Sequence, residues 1–184
     1  FAPESYIDGC WGSDDDDDDV EGGSFQLHIT TENDNETVQL GISATGKFKI
    51  DWGSNEGADT IEWTDPGITY DHTYKRAGSY IITISGLATG YLQGGTAFKV
   101  WCDPTREDRS GLYAVTGAMG SVFPTLSNGT QPSFMGTFQN CKQLKSIESV
   151  LFRGITGQPI PYMFADTFDN TALEEVPNGL FSGL

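Results

Sequence analysis

Histidine, cysteine and basic residues are scarce in this chain of 184 residues, which has 2 histidines, 3 cysteines and 10 lysines and arginines. Aspartate and glutamate together number 26, so the formal net charge is -16. A protein that follows a nucleic-acid backbone needs a basic face, and an anionic membrane surface attracts basic segments. The composition therefore argues against nucleic acid and membrane lipid as partners.

Long apolar runs are also missing, because no stretch reaches the roughly 18 apolar residues of a membrane-spanning helix. The first residues, beginning at Phe1, have neither a basic start nor an apolar signal segment. Since an initiator methionine is also absent, we expect a processed or trimmed product, which suits a secreted protein.

Catalytic patterns are missing as well. His28 and His72 have no second histidine or cysteine at metal-ligand spacing, and no G-x-S-x-G nucleophile motif occurs. Spacing alone leaves open a triad assembled from distant residues, or a hydrolase that uses two of the scattered carboxylates. We predict no enzymatic activity and no catalytic, cofactor-binding or metal-binding residue. His72 is expected to make a hydrogen bond at a strand end, and His28 to be exposed.

The odd number of cysteines means that they cannot all pair within one chain. Cys141 lies where a second copy of a repeat, described below, has Thr171, so we predict a buried free thiol. Cys10 and Cys102 then form the predicted disulfide. An alternative is lipidation of Cys10, because a cysteine followed by acidic residues resembles the start of surface-exposed bacterial lipoproteins.

Residues 1–23 form an acidic leader that contains six consecutive aspartates, from Asp14 to Asp19. Like charges in a row repel one another and keep a segment extended, so we predict a solvated linker. Calcium is the one cofactor that remains open here, although a run of aspartates lacks the spaced ligands of a typical calcium loop.

Residues 24–103 alternate between apolar and polar residues in short runs, for example at Phe25, Leu27 and Ile29. Alternation with a period of two is typical of half-buried strands, and turn clusters every 8–12 residues are typical of antiparallel sandwiches. We predict six to eight strands in an antiparallel β-sandwich. Three segments, 49–53, 70–74 and 77–84, resemble a PKD-like domain, an immunoglobulin-type sandwich of extracellular proteins.

Residues 104–184 contain an internal repeat with a period of about 30 residues, in the range of stacked solenoids. Phe134, Phe138, Leu144 and Phe152 of one copy recur as Phe164, Phe168, Leu173 and Phe181 in the next. Helical spacing predicts a short helix or 3₁₀ turn over 134–138 and over 163–168. Another helical turn is predicted to start at Leu151 and Phe152, and at Leu180 and Phe181 in the next copy, and to end at the glycines Gly154 and Gly183. Short strands are predicted at 144–147 and 173–176, and a degenerate copy from about residue 112.

The pattern T-F-x-N-C/T-x-L-x-x-I/V followed by L-F-x-G resembles the BspA-like leucine-rich repeats of bacterial surface proteins. The resemblance implies a surface or secreted binding role in an array with more copies. We therefore expect the natural chain to continue past Leu184, or a partner to cover Phe181 and Leu184.

Together these patterns predict a mainly β protein, in which a sandwich is followed by a short leucine-rich-repeat solenoid with small helical turns. The leading hypothesis is a non-enzymatic extracellular or cell-surface adhesion module, with the sandwich as spacer and the repeats as the surface for a protein or glycan. The strand residues expected to face that ligand are Lys145, Ser146, Glu174 and Glu175. The alternative is a structural component of a larger assembly, such as a phage virion or a surface appendage, built with further copies of the chain.

Overall fold

The structure is a computed structural model that describes residues 22–54, 58–61, 68–101 and 111–184. The acidic leader, Cys10 and Cys102 lie outside the described residues. The strands are β1 (Gly23–Thr31), β2 (Glu36–Ile42), β3 (Ala44–Asp51), β4 (Ala58–Ile61), β5 (Ile68–Tyr74), β6 (Gly78–Tyr91), β7 (Phe98–Trp101), β8 (Leu112–Gly117) and β9 (Ser146–Ile147), and one short helix is α1 (Met119–Val122). The prediction of a mainly β protein is confirmed.

Two sheets contain all the described strands. The larger has six strands in the order β4-β3-β6-β1-β8-β9, and the smaller has three in the order β5-β2-β7. All neighbours are antiparallel except β8 and β9, which run parallel. Because β8 pairs with β1, the two regions separated at residue 103 share one sheet.

The predicted alternation explains which side chains form the core. Phe25, Leu27 and Ile29 of β1 are buried, and their polar neighbours are half-buried. Phe123, just after α1, contacts Phe25 in the six-stranded sheet and Phe98 in the three-stranded sheet, with ring centroids 6.4 Å and 5.9 Å away. The buried side chains form a single cluster that continues into the repeats.

The two histidines differ from their predictions. His72 lies within β5 rather than at its end, and its buried Nε2 has no hydrogen-bond partner among the residues that the structure describes. The ring instead stacks on Trp52 at 5.1 Å, so its role in the structure is that of an aromatic side chain. His28 is half-buried and its Nε2 lies 2.9 Å from Thr116 Oγ1, because β8 covers that side of β1.

The repeat segments contain no helix within the described residues; the prediction of helical turns there is wrong. In the first copy (residues 134–154), Thr137, Gln139 and Cys141 each donate a backbone hydrogen bond to the carbonyl three residues earlier. Gly136 and Asn140 each have a φ angle of 64°, which a right-handed helix does not tolerate. The result is a series of linked turns, and the second copy (residues 163–183) follows it.

The remaining amides of the first copy connect it to the second. Four of them donate to carbonyls 29 residues later, at distances of 2.7–2.9 Å: Phe134 to Met163, Gly136 to Ala165, Phe138 to Thr167 and Asn140 to Asp169. Alternate amides thus stabilise the turns, and the others stabilise the stack. On its other side the first copy is bonded to β7, since Val100 donates to the carbonyl of Thr137 at 3.0 Å.

Equivalent side chains of the two copies lie against each other. Three pairs of phenylalanine rings stack with interplanar angles of 13–14° and centroid distances of 5.6–5.9 Å, namely Phe134–Phe164, Phe138–Phe168 and Phe152–Phe181. Asn170 Nδ2 donates to Asn140 Oδ1 at 2.8 Å, and Thr167 Oγ1 donates to the Phe134 carbonyl at 2.8 Å. The internal repeat of the sequence is therefore also a repeat of contacts.

Gly154 allows the backbone of the first copy to approach the segment after β8. A Cβ at this position would lie 2.3 Å from the carbonyl oxygen of Gly120, and its φ of 106° also favours glycine. In the second copy a Cβ on Gly183 would lie 2.6 Å from the carbonyl oxygen of Ile155. The repeated glycine was predicted to end a turn, and in the structure it lets its copy approach the preceding layer closely. The predicted strand at 173–176 does not form, whereas β9 covers Ser146–Ile147.

Cys141 is fully buried and disulfide-bonded. The prediction of a free thiol is wrong, because position in a repeat indicates the size and burial of a side chain but not its oxidation state. The predicted Cys10–Cys102 pair lies outside the described residues.

We expect Tyr74→Phe to lower the free energy of unfolding by about 1–3 kcal/mol at neutral pH. The hydroxyl of Tyr74 donates to the Trp52 carbonyl at 2.8 Å inside the core, and the variant removes this buried hydrogen bond. Burial, with the nearby Tyr80 and Asp51, raises the pKa of Tyr74.

The folded state keeps the Tyr74 proton to a higher pH than the unfolded state does. The contribution of Tyr74 to the free energy of unfolding is therefore complete below about pH 10, the pKa of an unfolded tyrosine, and declines as the pH rises further. Denaturant titrations at pH 8 and pH 11 should therefore show a smaller alkaline loss of stability for Tyr74→Phe than for the natural chain. Equal losses would contradict this assignment.

Candidate ligand-binding site

A cleft of about 620 Å³ lies on the flank of the stacked layers. Its walls come from three loops: residues 91–95 after β6, residues 129–135 before the first copy, and residues 160–162 before the second copy. We call it the Tyr162 cleft. A volume of this size lies within the range of roughly 300–1,000 Å³ that is typical of small-molecule sites.

Hydrogen bonds hold the three loops in place. Tyr91 Oη donates to the Pro124 carbonyl at 2.7 Å, and burial raises the pKa of Tyr91. Gln131 connects two loops, because its Nε2 donates to the Thr156 carbonyl at 2.7 Å and its Oε1 accepts from the Ile160 amide at 3.1 Å. The cleft is therefore built by the fold before any ligand arrives.

The lining is apolar but carries uncommitted polar groups. Leu92, Met135 and Ile160 expose apolar side chains to the cleft. Within the described residues, the Gln93 amide and the Thr130 hydroxyl have no hydrogen-bond partner. None of the lining residues is charged. The cleft can thus cover an apolar surface and bond to a few polar groups, but it offers no ion pair.

Tyr162 is the most exposed large apolar side chain among the described residues, at 79%. Its φ angle is 63°, in the left-handed region that bulky residues rarely adopt. The other described non-glycine residues with positive φ are Asn35, Asn140, Asp166 and Asn170, whose short polar side chains tolerate it. In the described part of the chain, Tyr162 is therefore the one bulky residue held in this conformation, and it lines the cleft.

A second unusual surface is the outer face of the second copy, which we call the open face. Phe181 is 41% exposed, whereas its equivalent in the first copy, Phe152, is 3% exposed. Val176 is likewise exposed although its equivalent Ile147 is buried. Identical positions thus differ in burial because the second copy covers the first and no described residue covers the second.

The open face also has free backbone donors. The first copy uses the amides of alternate residues to bond to the second, and the corresponding amides of the second copy have no acceptor among the described residues: Phe164, Asp166, Phe168 and Asn170. The carbonyls of the second copy are directed to the first copy instead. The open face therefore requires acceptors from whatever lies on it.

The residues predicted to face a ligand are all exposed: Lys145, Ser146, Glu174 and Glu175. None of them lines the Tyr162 cleft. Sequence reasoning missed the cleft because its walls come from three loops far apart in the chain. A signal was present in the three apolar residues from Ile160 to Tyr162, which interrupt an otherwise polar loop.

Among the described residues, no group of three or more His, Cys, Asp or Glu side chains is arranged to hold a metal ion. The described part of the chain likewise has no helix with the length and apolarity needed to span a bilayer.

Comparison of the chain with family models, with curated proteins and with solved structures gives no match. The PKD-like and BspA-like resemblances therefore depend on the sequence motifs alone.

We predict that Phe152→Ala destabilises the protein much more than Phe181→Ala, although the two residues are equivalent in the repeat. Removing a buried phenylalanine costs about 3–5 kcal/mol. A half-exposed ring gives up less apolar burial, so we expect less than about 2 kcal/mol for Phe181→Ala. Denaturant unfolding of the two variants measures the difference, and similar losses would show that the open face is covered in solution.

Proposed function

We propose that the chain is a non-enzymatic extracellular or cell-surface binding module and that the Tyr162 cleft is its ligand site. The observation that carries the proposal is an uncharged, largely apolar cleft with an exposed aromatic side chain. Concave apolar sites with a few convergent polar groups are the usual form of binding sites. The sandwich and the leucine-rich-repeat solenoid remain proposals for the two parts of the fold.

The layered contacts support the solenoid proposal. The first copy bonds through its backbone to the layers on either side, and the two copies stack phenylalanines on equivalent phenylalanines, as expected of repeats that interact with their neighbours. The ring contact between Phe25 and Phe98 across the two sheets, at 5.1 Å, supports the proposed sandwich. In this arrangement the sheets act as a spacer and the layers present the ligand surface on their flank.

The chemistry of the cleft supports a binding role over a hydrolytic one. A glycosidase usually needs two carboxyl groups about 5–9.5 Å apart on either side of the scissile bond. The lining of the Tyr162 cleft contains no carboxyl group and no histidine. The hydroxyl of Tyr91 already donates a hydrogen bond to a backbone carbonyl.

The disulfide at Cys141 supports an extracellular location, since disulfides persist mainly in oxidising compartments. The net charge of -16 would keep an exposed module soluble. Neither feature depends on the PKD-like or BspA-like resemblance, which leads to the same location.

The proposal is tested by screening the purified chain on an array of glycans and extracellular-matrix proteins, with and without EDTA. Ile160→Glu places a charge in the cleft, and Ile81→Glu is the matched control on β6, outside the cleft. The two isoleucines are similarly exposed, at 40% and 46%. We expect binding that is insensitive to EDTA, lost in Ile160→Glu and kept in Ile81→Glu.

Two results would contradict this function. The first is no binding to any feature of the array. The second is binding that Ile160→Glu and Ile81→Glu leave equally intact, which would place the ligand elsewhere. Binding that disappears with EDTA would instead assign a calcium role to the aspartates from Asp14 to Asp19.

The open face favours a second candidate function, a structural component of a larger assembly. It combines exposed apolar side chains with backbone donors that have no acceptor among the described residues. A further repeat of the same type offers the required carbonyls, as the second copy offers them to the first.

A chain extended by a duplicate of residues 155–184 after Leu184 should therefore melt at a higher temperature than the natural chain. The added copy would cover Phe181 and pair the free amides. A duplicate in which the phenylalanines are replaced by serine is the control and should give no increase. An unchanged melting temperature with the true duplicate would remove the support for this candidate.

A further inference from the structure

We propose that the Tyr162 cleft binds an uncharged oligosaccharide, with a sugar ring lying against the Tyr162 side chain. This inference rests on the proposed binding function and specifies its ligand. Four properties of the cleft carry it: the strained and exposed tyrosine, the free hydrogen-bonding groups, the absence of charge and the loop-built walls.

The conformation of Tyr162 is difficult to explain by stability. A non-glycine residue held in the left-handed region costs on the order of 1–3 kcal/mol, and a side chain that is 79% exposed recovers little of that by burial. An asparagine at position 162 would tolerate the left-handed backbone better than a tyrosine does. Strained residues cluster at functional sites, and a strained aromatic at the wall of a cleft is suited to contact a ligand.

The free polar groups match hydroxyl-rich ligands. The amide of Gln93 both donates and accepts, and so does the hydroxyl of Thr130. The Ser133 hydroxyl accepts weakly from the Met135 amide at 3.4 Å and retains its own hydrogen. Sugars carry hydroxyls around a ring whose C–H face is apolar, so they use these groups together with the tyrosine ring.

Charge excludes several other ligands. No charged side chain lines the cleft in the described part of the chain, and the whole protein carries -16. A sulfated or sialylated glycan would find no cation there and would be repelled by the overall charge. A basic ligand would find no carboxylate in the cleft. The ligand is therefore uncharged.

The walls favour a sugar over a peptide. An extended peptide usually binds along a free strand edge, and a proline-rich peptide needs a groove lined by aromatic side chains. The cleft is walled by loops, and its second tyrosine, Tyr91, has its hydroxyl bonded to Pro124. A single accessible aromatic ring beside amide and hydroxyl groups fits one sugar ring better than a run of prolines.

The test uses the full chain on an array with four kinds of probe: neutral oligosaccharides, sialylated glycans, sulfated glycans and a proline-rich peptide. The informative variant is Tyr162→Asn, because asparagine tolerates the left-handed backbone. We expect its melting temperature to equal or exceed that of the natural chain, while the affinity for neutral oligosaccharides falls about tenfold or more, as when an aromatic anchor is removed.

Tyr162→Phe keeps the ring and should retain affinity within a few-fold, roughly as expected for loss of one exposed hydroxyl. Tyr113→Ala is the matched control, since Tyr113 is an exposed tyrosine on β8 outside the cleft, and it should bind as the natural chain does. A lower melting temperature for Tyr162→Asn would contradict the argument from strain.

The outcomes separate the ligand class from the binding function. Binding that depends on Tyr162 but is confined to the peptide, or to sialylated or sulfated glycans, overturns the oligosaccharide proposal and leaves the cleft as a binding site. Binding of neutral oligosaccharides that Tyr162→Asn does not weaken overturns both. Absence of binding to every probe overturns the oligosaccharide proposal, and binding to the extracellular-matrix proteins then decides the binding function.

Discussion

The backbone of each repeat copy cannot satisfy its own hydrogen bonds, and the rest of the structure depends on this constraint. Alternate amides from Phe134 to Cys141 close turns within the copy, and the others donate to the layer above. A single copy would leave half of these donors unpaired, at a cost of about 1–3 kcal/mol for each one that is buried. The copies must therefore stack, and β7 and β8 form the layer on which the first copy rests.

Stacking in register also creates the candidate ligand site. Because each copy lies directly above the previous layer, the loops that lead into successive layers come to the same side of the molecule. Residues 91–95, 129–135 and 160–162 meet there and form the cleft. The bonds of Gln131 to two neighbouring loop residues fix this arrangement. Tyr162 is held over the cleft by the same series of turns that supports the stack.

Several elements could be predicted from residue pattern, and the errors have physical causes. Alternation located β1 and its buried residues correctly, since one face of a strand meets the core whichever strands lie beside it. Helical turns were wrongly predicted for the copies, because phenylalanines at helical spacing also suit linked turns in which Gly136 and Asn140 adopt positive φ. The state of Cys141 and the contacts of His72 depended on neighbours distant in the chain, which spacing does not reveal.

Residue pattern was sufficient to establish a mainly β chain, an internal repeat of about 30 residues and an acidic composition that disfavours nucleic acid. These properties follow from local periodicity and from amino-acid composition, and neither depends on which segments contact each other in the folded chain. Three-dimensional packing settled the rest: which amides join the layers, which phenylalanines are covered, and where an uncharged cleft forms. Those features arise from contacts between segments distant in the chain, as in the pairing of Phe134 with Met163, 29 residues later.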